Sequence, residues 1–209
     1  MFTEQEQATI LTYDRNAANW SRLHNFDLAN NSFADALTEF YDLVPNGSSV
    51  LEVGCGGGRD AIELIKHYNY FGTDASIGMI DTARKNVHGT PFNVCSVYDL
   101  QNIGRMFDAF WAAAVLLHIP KDRIDNALKA INSVMLPNAV GMIAIKDGDK
   151  EDFEVRDTNG LHEERLFSYW TEDDFRTVLD RNAMDVISYT YKPVTRRTNW
   201  HIFLTKNRY

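Results

Sequence analysis

Eleven residues, Val50 to Asp60, constrain this chain more than any others: Val-Leu-Glu-Val-Gly-Cys-Gly-Gly-Gly-Arg-Asp. Ser49 to Val53 is short, β-branched and largely apolar, which predicts a strand buried on both faces of a parallel sheet. It runs straight into Gly54, Gly56, Gly57 and Gly58, four of the twelve glycines. Without Cβ atoms the turn can take positive φ, and a ligand can lie against bare backbone. Free N–H groups at the start of the next helix can then bind an anionic group.

A second signal follows at Tyr70-Phe71-Gly72-Thr73-Asp74, another strand-like run whose terminal carboxylate lies 20 residues after Gly54. An acid at that distance can accept both hydroxyls of a ribose. Dinucleotide-binding loops pair the same two features but space their glycines GxGxxG. Here Gly54, Gly56 and Gly58 give GxGxG, and Arg59 stands where the third glycine would fall. Glu52 to Gly58 instead resembles the first motif of the class I S-adenosylmethionine-dependent methyltransferases, and Asp74 matches the ribose-binding acid of their second. Taken alone, Asp74 can also be read as a helix N-cap.

The rest of the chain sets bounds. At 209 residues it predicts one domain, 1–209, with a helical cap over 1–45 and an α/β core over 46–209. Hydrophobic residues at 44% and charged residues at 24% are ordinary for a globular protein. A net charge of -8, with no Lys/Arg run longer than a pair such as Arg196-Arg197, disfavours nucleic acid as a partner. The two cysteines, Cys55 and Cys95, suggest neither a disulfide framework nor a zinc site. The first residues lack the basic and apolar regions of a signal peptide, and no window reaches the length of a membrane span, so a cytoplasmic location is expected.

Periodicity supplies the elements. Thr3 to Leu43 is helical in pattern, with Phe33, Leu37, Phe40 and Tyr41 at helical spacing, and Pro45-Asn46-Gly47 ends it. Helices are predicted over Asp60 to His67, from a Ser76 cap to Asn86, from Pro120 to Met135, and from Thr171 through Leu179. Strands three to five are predicted at Phe92 to Ser96, Phe107 to Trp111 and Ala139 to Ile145. Between Lys146 and Tyr169 lies a charged stretch without clear periodicity. Val186 to Tyr191 and Trp200 to Thr205 read as an antiparallel hairpin. The alternation predicts a doubly wound, mostly parallel α/β sheet. The resemblance makes this a seven-stranded, Rossmann-like methyltransferase sheet closed by that hairpin.

The resemblance covers roughly Tyr13 to Thr205. Leu51 to Asp60, Phe71 to Met79, Phe107 to Pro120 and Phe167 to Phe175 are similar to the small methyltransferases related to tellurite-resistance enzymes. It implies S-adenosylmethionine as cofactor, with Gly54, Cys55 and Gly56 under its methionyl part and Asp74 on its ribose. It further implies that Ala75 and Met79 flank the adenine, that Ser96 and Val97 contact it, and that the Ala112 carbonyl approaches the methionyl amine. Many relatives carry an adenine-binding Asp where Ser96 aligns, so either Ser96 or Asp99 takes that part. Pro137-Asn138-Ala139 replaces the usual Pro-Gly-Gly. Tyr13 and Trp20 resemble a helix that closes over the cofactor, with the Tyr13 hydroxyl on the methionyl carboxylate; one face of a packed helix is the alternative.

Methyl transfer from a sulfonium is an in-line displacement, so alignment and exclusion of water matter most. His118, after strand four at the carboxyl edge of the sheet, is the candidate general base, with a helix-capping role as the alternative. Trp111 fits either an acceptor wall or the core. Residues 147–170, with Arg165, Tyr169 and Trp170, fit either a substrate lid or a solvated loop. No Asn/Asp-Pro-Pro-Tyr/Phe run, no Pro-Cys nucleophile, no acidic metal-ligand set and no HxH or HxxxH pair is present. A small-molecule acceptor is the class that remains. The rivals are a noncatalytic module that only binds the cofactor and a nicotinamide-dependent oxidoreductase, which the glycine spacing and the terminal hairpin oppose. P-loop and serine-hydrolase motifs are absent.

Overall fold

The computed structural model describes residues 1–23, 33–158, 161–195 and 198–208. Arg196-Arg197 and part of the stretch read as helical before Leu43 lie outside the described residues. The order of elements is α1 (Glu4–Leu23), α2 (Ala34–Leu43), β1 (Ser49–Val53), α3 (Ala61–Leu64), β2 (Asn69–Asp74), α4 (Ile77–Asn86) and β3 (Phe92–Val94). Then come β4 (Phe107–Ala113), α5 (Ile124–Asn132), β5 (Met135–Lys146), β6 (Glu151–Thr158), β7 (Leu161–Ser168), α6 (Glu172–Arg181), β8 (Met184–Pro193) and β9 (Asn199–Asn207).

Seven strands form one sheet in the order β3-β2-β1-β4-β5-β9-β8. β1 pairs in parallel with both β2 and β4, while β9 runs antiparallel between β5 and β8. This is the doubly wound sheet with a C-terminal antiparallel pair that the sequence predicts. Neighbouring residues serve opposite faces, as the two-residue period of a strand requires. Leu51, Phe110 and Ile143 join α5 and α6 in one core, and Val50, Trp111 and Met142 join α2, α3 and α4 in the other. The chain leaves β1 toward β2 on one side and reaches β4 on the other. Strand order therefore reverses beside β1, and a crevice opens at the carboxyl ends of β1 and β4.

Several boundaries differ from the sequence reading. The helix after the glycines is a single turn, Ala61–Leu64. Pro120 heads a separate short 3₁₀ turn, α5 begins only at Ile124, and Met135 belongs to β5. β5 absorbs Pro137 and Asn138 as an irregularity: the pairing jumps from Phe107↔Met135 to Ala109↔Val140, with Asn138 at φ +66°. Asn tolerates the left-handed region, which is how this chain manages without the usual glycine.

The larger correction concerns 147–170. Most of it is an antiparallel hairpin, β6 with β7, forming a second sheet. Its periodicity is hidden because Glu163, Arg165 and Phe167 share one face, with two charged residues among the buried positions. α1 covers the open edge of β7. Thr9 Oγ1 accepts from the Leu166 N–H at 2.9 Å. Thr12 Oγ1 accepts from the Glu164 N–H and donates to the Glu164 carbonyl, both at 2.9 Å. Asn16 Nδ2 donates to the His162 carbonyl at 3.3 Å. Residues 9, 12 and 16 lie on one helix face, so a stripe of polar side chains satisfies a strand edge that would otherwise be unpaired.

Candidate functional site

A cavity of about 580 Å³ lies between α1, the β7 face and the carboxyl ends of β1, β2, β4 and β5. Its floor is the glycine loop. Gly54 and Gly56 have φ of +70° and +52°. A Cβ on Gly54 would come within 2.3 Å of the Val115 side chain, whereas one on Gly56 would meet nothing within 4 Å. Gly54 is thus required by turn and packing, and Gly56 leaves bare backbone facing open space.

Asp74 ends β2 at the cavity wall. Its Oδ2 accepts from the Gly56 N–H at 2.9 Å and its Oδ1 from the Ser76 N–H at 2.8 Å. Each carboxylate oxygen keeps a further lone pair, so both remain able to receive ligand hydroxyls. Burial pushes the Asp74 carboxyl up to about 6, against the pull of those N–H donors. Ser76 caps α4 by accepting from the Met79 N–H at 3.1 Å, so the cap belongs to Ser76 and Asp74 stays with the cavity.

Cys55, Ala75, Met79, Val97 and Tyr13 also line the cavity. Ser96 and Ala112 do not. Ser96 turns its hydroxyl to the Tyr98 N–H at 3.1 Å, capping the 3₁₀ turn after β3, and Cys95 and Val97 on either side of it reach the wall. Ala112 is fully buried in the core; Ala113, Ala114 and Val115 take its place at the wall. Ala114 sits at φ +59°, a strained value for a residue with a Cβ and a common mark of a strand end shaped for a ligand. Trp111 is core: it is fully buried, and its Nε1–H donates to Asp60 Oδ2 at 3.0 Å.

His118 reaches the cavity, and both ring nitrogens are engaged. Nδ1 lies 2.6 Å from the Leu166 carbonyl oxygen, which can only accept, so Nδ1 carries the proton. Nε2 is then an acceptor, and the Tyr13 hydroxyl 2.8 Å away donates to it. Burial, with Arg165 and Lys146 adding repulsion, lowers the ring to about 3 and keeps it neutral.

The sequence reading missed what holds the cap and what charges the walls. Asp14 Oδ1 accepts from Ser76 Oγ at 2.6 Å and from the Gly78 N–H at 2.9 Å, fastening α1 to the start of α4. Nearer its beginning, α1 is held through Glu6, which receives the Tyr98 hydroxyl at 2.6 Å and the Arg123 guanidinium. Acids cluster toward β1 and β2: Glu52, Asp60 and Asp74 all line the cavity. Burial pushes Glu52 well above the carboxylate range, and Tyr70 donates to it. Arg59 pairs with Asp60 there, and two further cations line the cavity from other elements, Lys146 ending β5 and Arg165 on β7. A glycine spacing is visible in one stretch of sequence; the contacts that hold α1 join residues more than sixty positions apart. Among the described residues no group of three or more His, Cys, Asp or Glu is placed to hold a metal ion. No helix among them is long and apolar enough to cross a membrane.

The sequence profile of the family described as "Methyltransferase domain" matches residues 50–138, which span β1 to the Asn138 irregularity in β5. Residues 50–138 are a methyltransferase domain. The methyl donor of this class is S-adenosylmethionine, and the cradle at Gly54, Gly56 and Asp74 fits it. An uncharacterized protein of Rickettsia prowazekii (strain Madrid E) is 30% identical over 105 residues, covering 46% of this chain and 19% of that protein. The chain thus spans about a fifth of that curated relative. Solved structures match nearly the whole chain in fold. DhpI in complex with S-adenosylhomocysteine superposes with a TM-score of 0.75 at 17% identity, covering 100% of both chains. The 1,6-didemethyltoxoflavin-N1-methyltransferase of Burkholderia thailandensis gives 0.73 at 16% identity, covering 99% of this chain and 91% of that one. The [4+2]-cyclase SpnF gives 0.61 at 17% identity over 83% of this chain and 80% of its own, so the fold by itself does not fix the chemistry.

Proposed function

We propose that this methyltransferase transfers a methyl group from S-adenosylmethionine to a small-molecule acceptor. The observation that carries the cofactor reading is the Gly54–Gly56–Asp74 cradle: open backbone at Gly56 beside a carboxylate oriented by two N–H donors with lone pairs to spare. Gly54, Cys55 and Gly56 would hold the methionyl part, Asp74 the ribose, and Ala75, Met79 and Val97 the adenine. When bound, the cofactor supplies an electrophilic methyl on a sulfonium.

The chain's own part is placement and exclusion of water. α1, held by Glu6 and Asp14 and by its own Thr9 and Thr12 against β7, roofs the cavity and separates the reacting groups from solvent. His118 acts as a positioning residue: with Nδ1–H fixed on Leu166, its Nε2 fixes the Tyr13 hydroxyl at the cavity wall. Its lone pair is already used and its basicity is low, so the acceptor is methylated without His118 taking its proton. The enclosed volume supports an acceptor of small-molecule size. The Burkholderia thailandensis methyltransferase, similar in fold, holds such a molecule, 1,6-didemethyltoxoflavin, beside S-adenosylhomocysteine.

The test is formation of S-adenosylhomocysteine from S-adenosylmethionine against a panel of small acceptors, read by mass spectrometry of cofactor and product. Acceptor-dependent turnover lost in Asp74→Ala supports the reading. Turnover only on protein or nucleic-acid substrates overturns the acceptor class.

A further inference from the structure

Charge is distributed unevenly in the cavity, and one charge is left over. Of the three cationic side chains that line it among the described residues, Arg59 pairs with Asp60 at 2.7 Å and Arg165 with Glu163 at 3.0 Å. The Lys146 ammonium has no hydrogen bond or ion pair among the described residues; the Glu154 carboxylate, which acts on it from a distance, is paired with Arg156. Its Nζ lies 3.9 Å from the centroid of the Phe167 ring and 5.8 Å from that of Tyr169. Arg165 stands over the same Phe167 ring at 5.0 Å. A half-buried ammonium beside a guanidinium, with ring faces for company, is a costly arrangement unless an anion joins it. Burial and Arg165 lower Lys146 to about 8, so it remains mainly protonated at neutral pH.

Position decides what the anion belongs to. Lys146 ends β5, across the cavity from the β2 carboxylate Asp74 that the cofactor reading uses, and it stands with Tyr13, His118, Arg165 and Phe167 at the cap end. We propose that this end of the cavity is an acceptor subsite for a small anionic molecule, with Lys146 pairing to its carboxylate or phosphonate and the Phe167 and Tyr13 rings against its apolar body. The inference rests on the methyl-transfer reading for its division of the cavity into cofactor and acceptor ends. Arg165 is committed to Glu163 and supplies field at this subsite; Lys146 is the cation free to form a new pair.

The experiment is calorimetric titration of the protein, saturated with S-adenosylhomocysteine, with benzoate, phenylphosphonate and the neutral isostere benzamide. Wild type, Lys146→Met and Lys146→Arg are compared after circular dichroism confirms folding. The expected result is at least tenfold tighter binding of an anion than of benzamide in wild type. Lys146→Met should lose that preference and Lys146→Arg keep most of it, with S-adenosylhomocysteine affinity within about twofold throughout. Equal binding of benzamide, a preference that persists in Lys146→Met, or failure of both anions to bind would overturn the subsite. A tenfold loss of S-adenosylhomocysteine affinity in Lys146→Met would overturn it too, by assigning Lys146 to the cofactor's own carboxylate. Failure of wild type to bind S-adenosylhomocysteine at all would instead reject the methyl-transfer reading beneath it.

Discussion

Tyr13 of α1 donates its hydroxyl hydrogen to His118 Nε2 across 2.8 Å, joining residues 105 positions apart at the cavity wall. The pair ties the cap to the end of β4, and it decides what His118 can do. A ring held near 3 is neutral throughout the working range. The turnover profile should therefore show no inflection between about pH 5 and 8 that disappears in His118→Ala. That variant should lose less than about 100-fold in kcat, below the 10²–10⁴ that a general base supplies. An acidic limb near pH 6.5, abolished in the variant, would restore His118 as the base.

Gly78 lets the cap close. A Cβ there would lie 2.6 Å from the Asp14 carbonyl oxygen, in the helix that roofs the site. Gly78→Ala should push α1 off α4. The expected outcome is faster amide exchange over residues 4–23 and about tenfold weaker S-adenosylhomocysteine binding, with the sheet still protected. Asp14→Ala should act in the same direction by removing the acceptor of the Ser76 hydroxyl and the Gly78 N–H. Unchanged exchange in both variants would show that the roof is held elsewhere.

Asp74 gives the binding a pH signature. Its carboxyl is raised to about 6, so it is ionised above that pH and progressively protonated below it. Ribose hydroxyls donate better to the carboxylate than to the acid. Affinity for S-adenosylhomocysteine should be flat above about pH 7 and fall by up to tenfold per unit below pH 6, the limit for one proton. Asp74→Asn should bind at least tenfold more weakly at pH 7.5 and lose the slope. A wild-type affinity that stays flat to pH 5 would remove Asp74 from the ribose.

Gly54 is needed for two reasons that add. Its φ of +70° disfavours any side chain, and the Val115 methyl stands 2.3 Å from where a Cβ would sit. Gly54→Ala should cost more than about 1 kcal/mol of stability, read as a lowered Tm. Gly56→Ala shares the strain of a positive φ, at +52°, but meets no neighbour within 4 Å, so its loss of Tm should be the smaller of the two and ligand binding should fall as well. Equal stability losses in the two variants would argue that Gly56 serves the turn and not the ligand.

The glycine loop, the acid at the end of β2 and the succession of strands were legible because each depends on local chemistry: β-branched runs, residues without Cβ, an acid at a strand end. The β6–β7 hairpin was hidden because Glu163 and Arg165 occupy buried positions and pair with each other, so the apolar alternation that marks a strand is missing. Ser96 and Ala112 fall one residue out of register with the wall because strand ends depend on the bend of the chain there, at the Ser96 cap and at Ala114 with its positive φ. The employment of His118 could not be read at all. It follows from Tyr13 and the Leu166 carbonyl, brought together only when α1 and β7 close over β4.

The central claim is that the cradle at Gly54, Gly56 and Asp74 binds S-adenosylmethionine and its product. Calorimetric titration of the whole chain with S-adenosylhomocysteine, with NADH in a parallel cell, tests it most directly. Micromolar binding of S-adenosylhomocysteine and none of NADH is the predicted result; binding of NADH, or of neither, would contradict it.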